Sequence, residues 1–94
     1  MQSQFFEWDD AKAEINLRKH GVDFEEAKTV FEDPLALIIP DELHSEDEHR
    51  AIVLGMSLLA RVLLVVHTER GERIRIISAR RATPSERLQY EGQL

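Results

Sequence analysis

The chain has no Cys, no Gly-rich phosphate loop and no Ser-His-Asp spacing above chance. What it offers instead is a set of His, Lys, Arg, Glu and Tyr side chains. The densest group is Arg73, Arg75, Arg80 and Arg81, with His67 just upstream. These types suit phosphodiester chemistry without a metal ion. RNA carries its own nucleophile, the ribose 2′-hydroxyl. Cleavage needs that proton removed, the charge growing on phosphorus stabilised and the leaving oxygen protonated. Arg and Lys stabilise such charge, and His, Glu, Lys or Tyr move protons. Arg75, Arg80 and Arg81 beside His67 would suffice if the fold gathers them. The same residues also have plain structural uses. A strand-end His caps a sheet, and an Arg can tie a helix to it.

The elements that must position these groups are legible. In Arg73-Ile74-Arg75-Ile76 the alternation puts the two Ile on one strand face and the two Arg on the other. Thr83-Pro84-Ser85-Glu86 is a capping box with Pro at the first helical position, so a helix runs from about 84 to 90. Ser78, Arg80 and Arg81 therefore stand at a strand-to-helix junction, where guanidiniums can grip phosphate by forked hydrogen bonds.

Upstream, Phe5-Phe6-Glu7-Trp8 reads as a short strand or extended entry. Asp9 caps a helix to about Lys19, stopped by Gly21. In it Trp8, Ala11 and Ile15 mark an apolar face, while Asp9, Lys12, Asn16, Lys19 and His20 share a second, polar stripe. A polar stripe of this kind is also what a solvated flank looks like. Asp23 and Glu26 suggest a capping box for a second helix, with Phe24, Ala27, Val30 and Phe31 inward and Asp33-Pro34 as its end. Leu35 to Pro40, Arg50 to Ser57 and Arg61 to Thr68 read as strands, the last apolar on both faces as a central strand is. Gly55 marks a bulge or a close backbone approach. Between the first two of these strands, five of the eight residues 41–48 are acidic, a solvated loop. His44, Asp47 and His49 in it match no metal-ligand spacing, and no metal or other cofactor is expected. The order is β-α-α-β-β-β-β-α: one α+β domain over residues 1–94, with an antiparallel sheet, two helices before it and one after.

Composition narrows the setting. The 94 residues are 43% hydrophobic, enough for one small core. Absence of Cys excludes disulfides and thiolate chemistry and suits a reducing cytoplasm. Met1-Gln2-Ser3-Gln4 opens no secretory signal, and no apolar run approaches the ~20 residues that span a bilayer, so no membrane partner is expected. Net charge is −6, yet residues 61–94 hold seven Arg against four Glu, while residues 1–60 hold five basic and fourteen acidic residues. All basic side chains of the C-terminal part are Arg, the type that favours bidentate contacts to phosphate or carboxylate.

The ordered motifs resemble a known family. Phe6-Glu7-Trp8-Asp9, Lys12, Asn16-Leu17-Arg18-Lys19-His20-Gly21-Val22, Phe24-Glu25-Glu26-Ala27 and Phe31-Glu32-Asp33-Pro34 are similar to the N-terminal signature of BrnT toxins. Glu48-His49-Arg50, Gly55 and Ser57 continue the likeness, and Arg75-Ile76-Ile77-Ser78-Ala79-Arg80-Arg81-Ala82, Glu86-Arg87 and Tyr90 complete it. Ala60 departs from it, at a turn where the family often has Gly. The resemblance implies a RelE-like fold and a ribonuclease toxin of a bacterial type II toxin–antitoxin pair that arrests growth. It implies RNA as substrate and a BrnA-type antitoxin as partner, two toxins with two antitoxins, with operator DNA reached only through the antitoxin. The alternative is an antitoxin-binding module and operon co-repressor with little ribonuclease activity, in which Arg80 and Arg81 grip antitoxin carboxylates. Carried onto this sequence, the candidates for catalysis are Lys19, His20, Arg50, Arg80 and Arg81, with His67 added on the chemical ground alone. Lys12, Asn16, Arg75, Ser78 and Tyr90 are candidates for substrate binding.

Overall fold

The computed structural model describes residues 5–40 and 50–92. The acidic stretch with His44, Asp47, Glu48 and His49 lies outside them. In chain order the elements are β1 (Phe6–Glu7), α1 (Asp10–His20), α2 (Phe24–Ala27) continuing as a 3-10 helix (Lys28–Glu32), β2 (Leu37–Pro40), β3 (Arg50–Met56), β4 (Val62–Arg70), β5 (Arg73–Arg81) and α3 (Pro84–Glu91). The expected α+β order holds. No described helix is long and apolar enough to cross a membrane.

The strands form one five-stranded sheet in the order β1-β5-β4-β3-β2. The β2–β3, β3–β4 and β4–β5 pairs are antiparallel, and β1 adds in parallel to β5, with Phe6 opposite Ile74 and Glu7 opposite Arg75. β4 is central, which accounts for its run of apolar residues on both faces. Leu63 and Val65 point to the face covered by α1, α2 and the 3-10 helix, where Trp8, Phe24 and Val30 complete the main core. Val62 and Leu64 point to the other face, where α3 brings Tyr90 onto Leu54. Gly55 is the close approach and not a bulge: a Cβ there would lie 3.1 Å from Ala36 Cβ and 3.3 Å from the Val30 carbonyl oxygen. The bulge falls instead between Val66 and His67, opposite β5.

The caps behave as their sequences dictate. Asp9 accepts the Lys12 N–H at 3.0 Å, and Gly21, at φ 70°, closes α1 by donating to the Leu17 carbonyl at 2.8 Å. Thr83 and Glu86 form the reciprocal box at the start of α3. The second predicted box is half made. Asp23 accepts the Glu26 N–H at 2.7 Å, but the Glu26 side chain turns elsewhere.

The inner face of α1 differs from the one expected. Ala11 and Ile15 are exposed, Ile15 by 54%, while Asn16 is buried and Ala13 packs against the core. The cause is a three-bond clamp. Asn16 Nδ2 donates to the Val22 carbonyl at 2.9 Å and the Ala79 carbonyl at 2.8 Å, and Asn16 Oδ1 accepts the Ala79 N–H at 3.1 Å. β1 covers the outer edge of β5 only at Ile74 and Arg75, so at Ala79 that edge needs other partners, and a side-chain amide supplies both kinds. The polar stripe that the sequence offers as a shared functional or solvated face is therefore split by Asn16, whose amide is consumed inside the fold.

Two outcomes follow in urea denaturation. Asn16→Ala strands buried backbone groups and lowers stability by about 3 kcal/mol. A loss below ~0.5 kcal/mol would contradict the clamp. Ala60 holds φ 61°, a left-handed conformation that costs a Cβ-bearing residue roughly 1 kcal/mol, so Ala60→Gly stabilises by a few tenths to about 1 kcal/mol.

Candidate RNA-contacting site

The clamp fixes how α1 lies on the sheet. Asp9, before its first turn, has its pKa held down chiefly by the Lys12 backbone hydrogen bond, and the Arg75 charge adds to this. Asn16, midway, bonds Ala79. Gly21, past its end, accepts from Arg61 Nη2 at 3.1 Å. The residue after Arg61, Val62 at the start of β4, accepts the Ala82 N–H at 2.9 Å. α1 thus runs alongside β5 in the same direction. Its last turn, with Lys19 and His20, ends at the same rim of the molecule as Arg81.

Strand register divides the remaining candidates. Leu64 faces Arg80 and Val66 faces Ser78, while Thr68 faces both Arg50 and Arg75 across its two neighbours. Arg50, Arg75, Ser78 and Arg80 therefore share the α3 side of the sheet. Arg81, opposite Leu63, belongs to the other side. Two members of the first group are neutralised. Arg75 Nη1 donates to Glu7 at 2.9 Å. Arg80 makes a two-pronged bond to Glu86, at 2.8 and 3.0 Å, which raises the Arg80 pKa and lowers that of Glu86. Glu86 thus serves both the helix cap and the Arg.

His67 is not beside these arginines, and the expected cluster does not form around it. It lies opposite Ala51 and Ile76, on the helix-covered face, with its ring centroid 4.9 Å from that of Phe31 and the planes at 81°. It is 5% exposed, and Nδ1 has no hydrogen-bond partner among the described residues. Burial lowers its pKa below 6.5, with the Val65 backbone and the Glu69 charge opposing more weakly. The two-residue period of a strand that would have placed His67 near Arg73 or Arg75 places it on the reverse side instead. Tyr90 is likewise committed. It is 3% exposed, and its hydroxyl donates to Asp33 Oδ2 at 2.5 Å, with burial as the first cause raising its pKa to about 12. Asp33 also accepts the Met56 and Leu35 N–H groups at 2.8 and 2.9 Å, so Tyr90 ties α3 to the loop before β2. Lys12 is exposed near the start of α1, at the far end from Arg81.

The rim contains residues that the sequence did not single out. Arg61, at the β3–β4 turn, donates from Nε to Glu26 Oε2 at 2.9 Å and from Nη2 to Glu26 Oε1. Ser57 Oγ donates to the same carboxylate at 2.7 Å. The Glu26 side chain is 5% exposed, and its pKa is lowered, first by the Arg61 hydrogen bonds. Arg81 also acts on Glu26 through its charge, so the two lie within electrostatic reach. One signal for Glu26 was present in the sequence: it sits next to Ala27 on the inward side of α2, where a carboxylate needs a cation.

The family model of the BrnT ribonuclease toxins of type II toxin–antitoxin systems matches residues 8–86. The chain belongs to the BrnT toxin family. Its fold is also that of the crystal structure of the Brucella abortus ribonuclease toxin BrnT, with a TM-score of 0.67 and 24% identity over 86% of this chain and 99% of that one. No curated protein matches the sequence. Within the BrnT family, then, this chain has a basic rim where α1 and β5 end, and an ion-paired set of arginines on the α3 side.

Two pH effects follow. Glu26 has a folded pKa below its unfolded value, so its stabilisation is full above about pH 4.5 and is lost as pH falls through the folded pKa. Glu26→Gln flattens the stability profile in that acid window. His67, buried neutral, makes the protein lose stability as pH falls below 6.5, and His67→Gln removes that part of the slope. Unfolding curves taken between pH 7 and 3.5 check both, and unchanged slopes would count against these environments.

Proposed function

We propose that this BrnT-family chain is a metal-independent endoribonuclease that contacts RNA through the rim formed by Lys19, His20 and Arg81. The observation that supports it is the convergence of the α1 and β5 ends, which leaves the Arg81 side chain exposed, with no hydrogen bond or ion pair among the described residues. An Arg held on a rigid strand with its donors unspent is suited to an RNA phosphate, whereas Arg80, spent on Glu86, is not. His20, half-buried at the helix end, is the proton-transfer group of this site. In the reaction the 2′-oxygen loses its proton to the base and bonds to phosphorus. The bond from phosphorus to the 5′-oxygen breaks, and that oxygen takes up a proton. Lys19 and Arg81 offset the charge that grows on the phosphoryl oxygens in between.

In the cell we place the protein in the cytoplasm as a growth-arresting toxin. A BrnA-type antitoxin neutralises it in an assembly of two toxins and two antitoxins, and operator DNA is reached through that antitoxin. The pairing of Arg80 with Glu86 favours a docking and scaffolding role for the α3 side, so both activities can sit on one chain without competing for the same arginine.

The test is cleavage of a labelled RNA by purified protein in EDTA. Wild type cuts; Arg81→Ala lowers kcat/KM about 100-fold, and Arg80→Ala lowers it by less than about tenfold. Loss of cutting in EDTA with recovery on adding a divalent cation would contradict metal independence. A larger loss in Arg80→Ala than in Arg81→Ala would move the site to the other face.

A further inference from the structure

Beside Arg81 the rim is indented by a notch of about 180 Å³, walled by Arg61, Arg81 and Arg87, with Met56 and Ala82 among its other lining residues. Three arginines line it from three elements: the β3–β4 turn, the end of β5 and the exposed side of α3. Their compensation is uneven. Arg81 has no ion pair among the described residues. Arg87 has, among the described residues, only an exposed contact to Glu91 at 3.4 Å. Arg61 is bound to the Glu26 carboxylate and the Gly21 carbonyl through Nε and Nη2, while Nη1 has no partner among the described residues.

We propose that this notch seats one backbone phosphate of the nucleic-acid strand, with Glu26 acting as the positioning residue that holds Arg61 ready. This deepens the ribonuclease proposal and rests on it for the identity of the polyanion. Like charges do not normally converge without a counter-ion, and the one buried carboxylate at the site, Glu26, has both oxygens engaged by Arg61 and Ser57. Arg61 offers an anion its Nη1 and its charge, held in place by the bonds that Nε and Nη2 make to Glu26 and Gly21, while the less committed guanidiniums are those of Arg81 and Arg87. A nucleic-acid strand fits this description better than a carboxylate peptide: both groups spread one charge over two oxygens, but the strand repeats that charge at regular spacing along the rim towards Lys19 and His20.

The test uses the full chain and a fluorescein-labelled single-stranded DNA of about ten nucleotides, which lacks the 2′-hydroxyl and is not cleaved. Binding is followed by anisotropy over a range of salt. Arg81→Ala and Arg87→Ala each weaken binding about fivefold or more and reduce the slope of log K against log salt by about 0.7. Arg70→Ala, a basic residue at the opposite tip of the sheet, changes neither. Arg61→Ala strands a buried carboxylate, so it is combined with Glu26→Gln, and this pair weakens binding to a similar degree. Equal losses in Arg70→Ala, or no loss in Arg81→Ala and Arg87→Ala, would overturn the seat. RNA cleavage run in parallel separates the two proposals. Notch-dependent DNA binding without RNA cleavage by wild type leaves the seat standing and removes the ribonuclease. Wild-type cleavage that Arg87→Ala and the Arg61→Ala/Glu26→Gln pair leave unchanged removes the seat and keeps the ribonuclease.

Discussion

Asn16 is the contact on which the arrangement of this molecule depends. Its side-chain amide satisfies both backbone groups of Ala79 and closes the turn after α1 through Val22. No apolar residue can do this, because a hydrophobic side chain at that position would leave buried donors and acceptors unpaired at a cost of about 1–3 kcal/mol each. The clamp also fixes direction. A helix pinned at its middle to the end region of β5, with its first turn near Arg75, has to deliver its last turn to the rim where β5 ends. The site is therefore a consequence of a backbone hydrogen-bonding requirement on the edge of β5 that β1 does not reach, met from across the helix–sheet interface.

A second polar contact finishes the rim. Glu26 lies against the main core and cannot remain charged there without a partner. Arg61 and Ser57 supply that partner, and in doing so fasten the β3–β4 turn to α2. Arg61 is thereby held in one orientation at the surface. The α3 side is organised by pairs of a different kind: Arg75 with Glu7, Arg80 with Glu86 and Tyr90 with Asp33. These join β1 to β5, the sheet to α3, and α3 to the loop before β2. Arginines from one short stretch of sequence thus have opposite fates. Those on the α3 side brace the fold, while Arg81 on the other is left available.

Much of this was legible in the sequence. The central strand, the caps at Asp9 and Thr83, the stop at Gly21 and the close approach at Gly55 each have a local cause that the residues themselves display. The α+β order followed from them. What was not legible depended on which face a residue takes after an irregularity. From the β4–β5 turn the strand period sets His67 opposite Ile76, beneath Phe31 and away from Arg75, and the bulge beyond His67 then turns Arg80 to the reverse face as well. Asn16 read as a member of a polar stripe because spacing cannot reveal that a strand 63 positions later needs an amide. Ile15 read as core for the same reason: the helix is oriented by the clamp, not by its apolar residues. The Arg61–Glu26 pair is not legible because it joins segments 35 positions apart, and the local pattern shows Glu26 only as a capping residue.

The most direct test of the account is the side-chain Nε–Hε spectrum of the arginines, recorded while the protein is titrated with an RNA oligonucleotide whose riboses are 2′-O-methylated. The nucleophile is blocked, so binding is seen without turnover. With RNA on the rim, the signals of Arg61, Arg81 and Arg87 move with the backbone amides of Lys19 and His20, while those of Arg75 and Arg80 stay in place. Movement of Arg75, Arg80 and Ser78 with a silent rim would contradict it and place the RNA on the α3 side of the sheet.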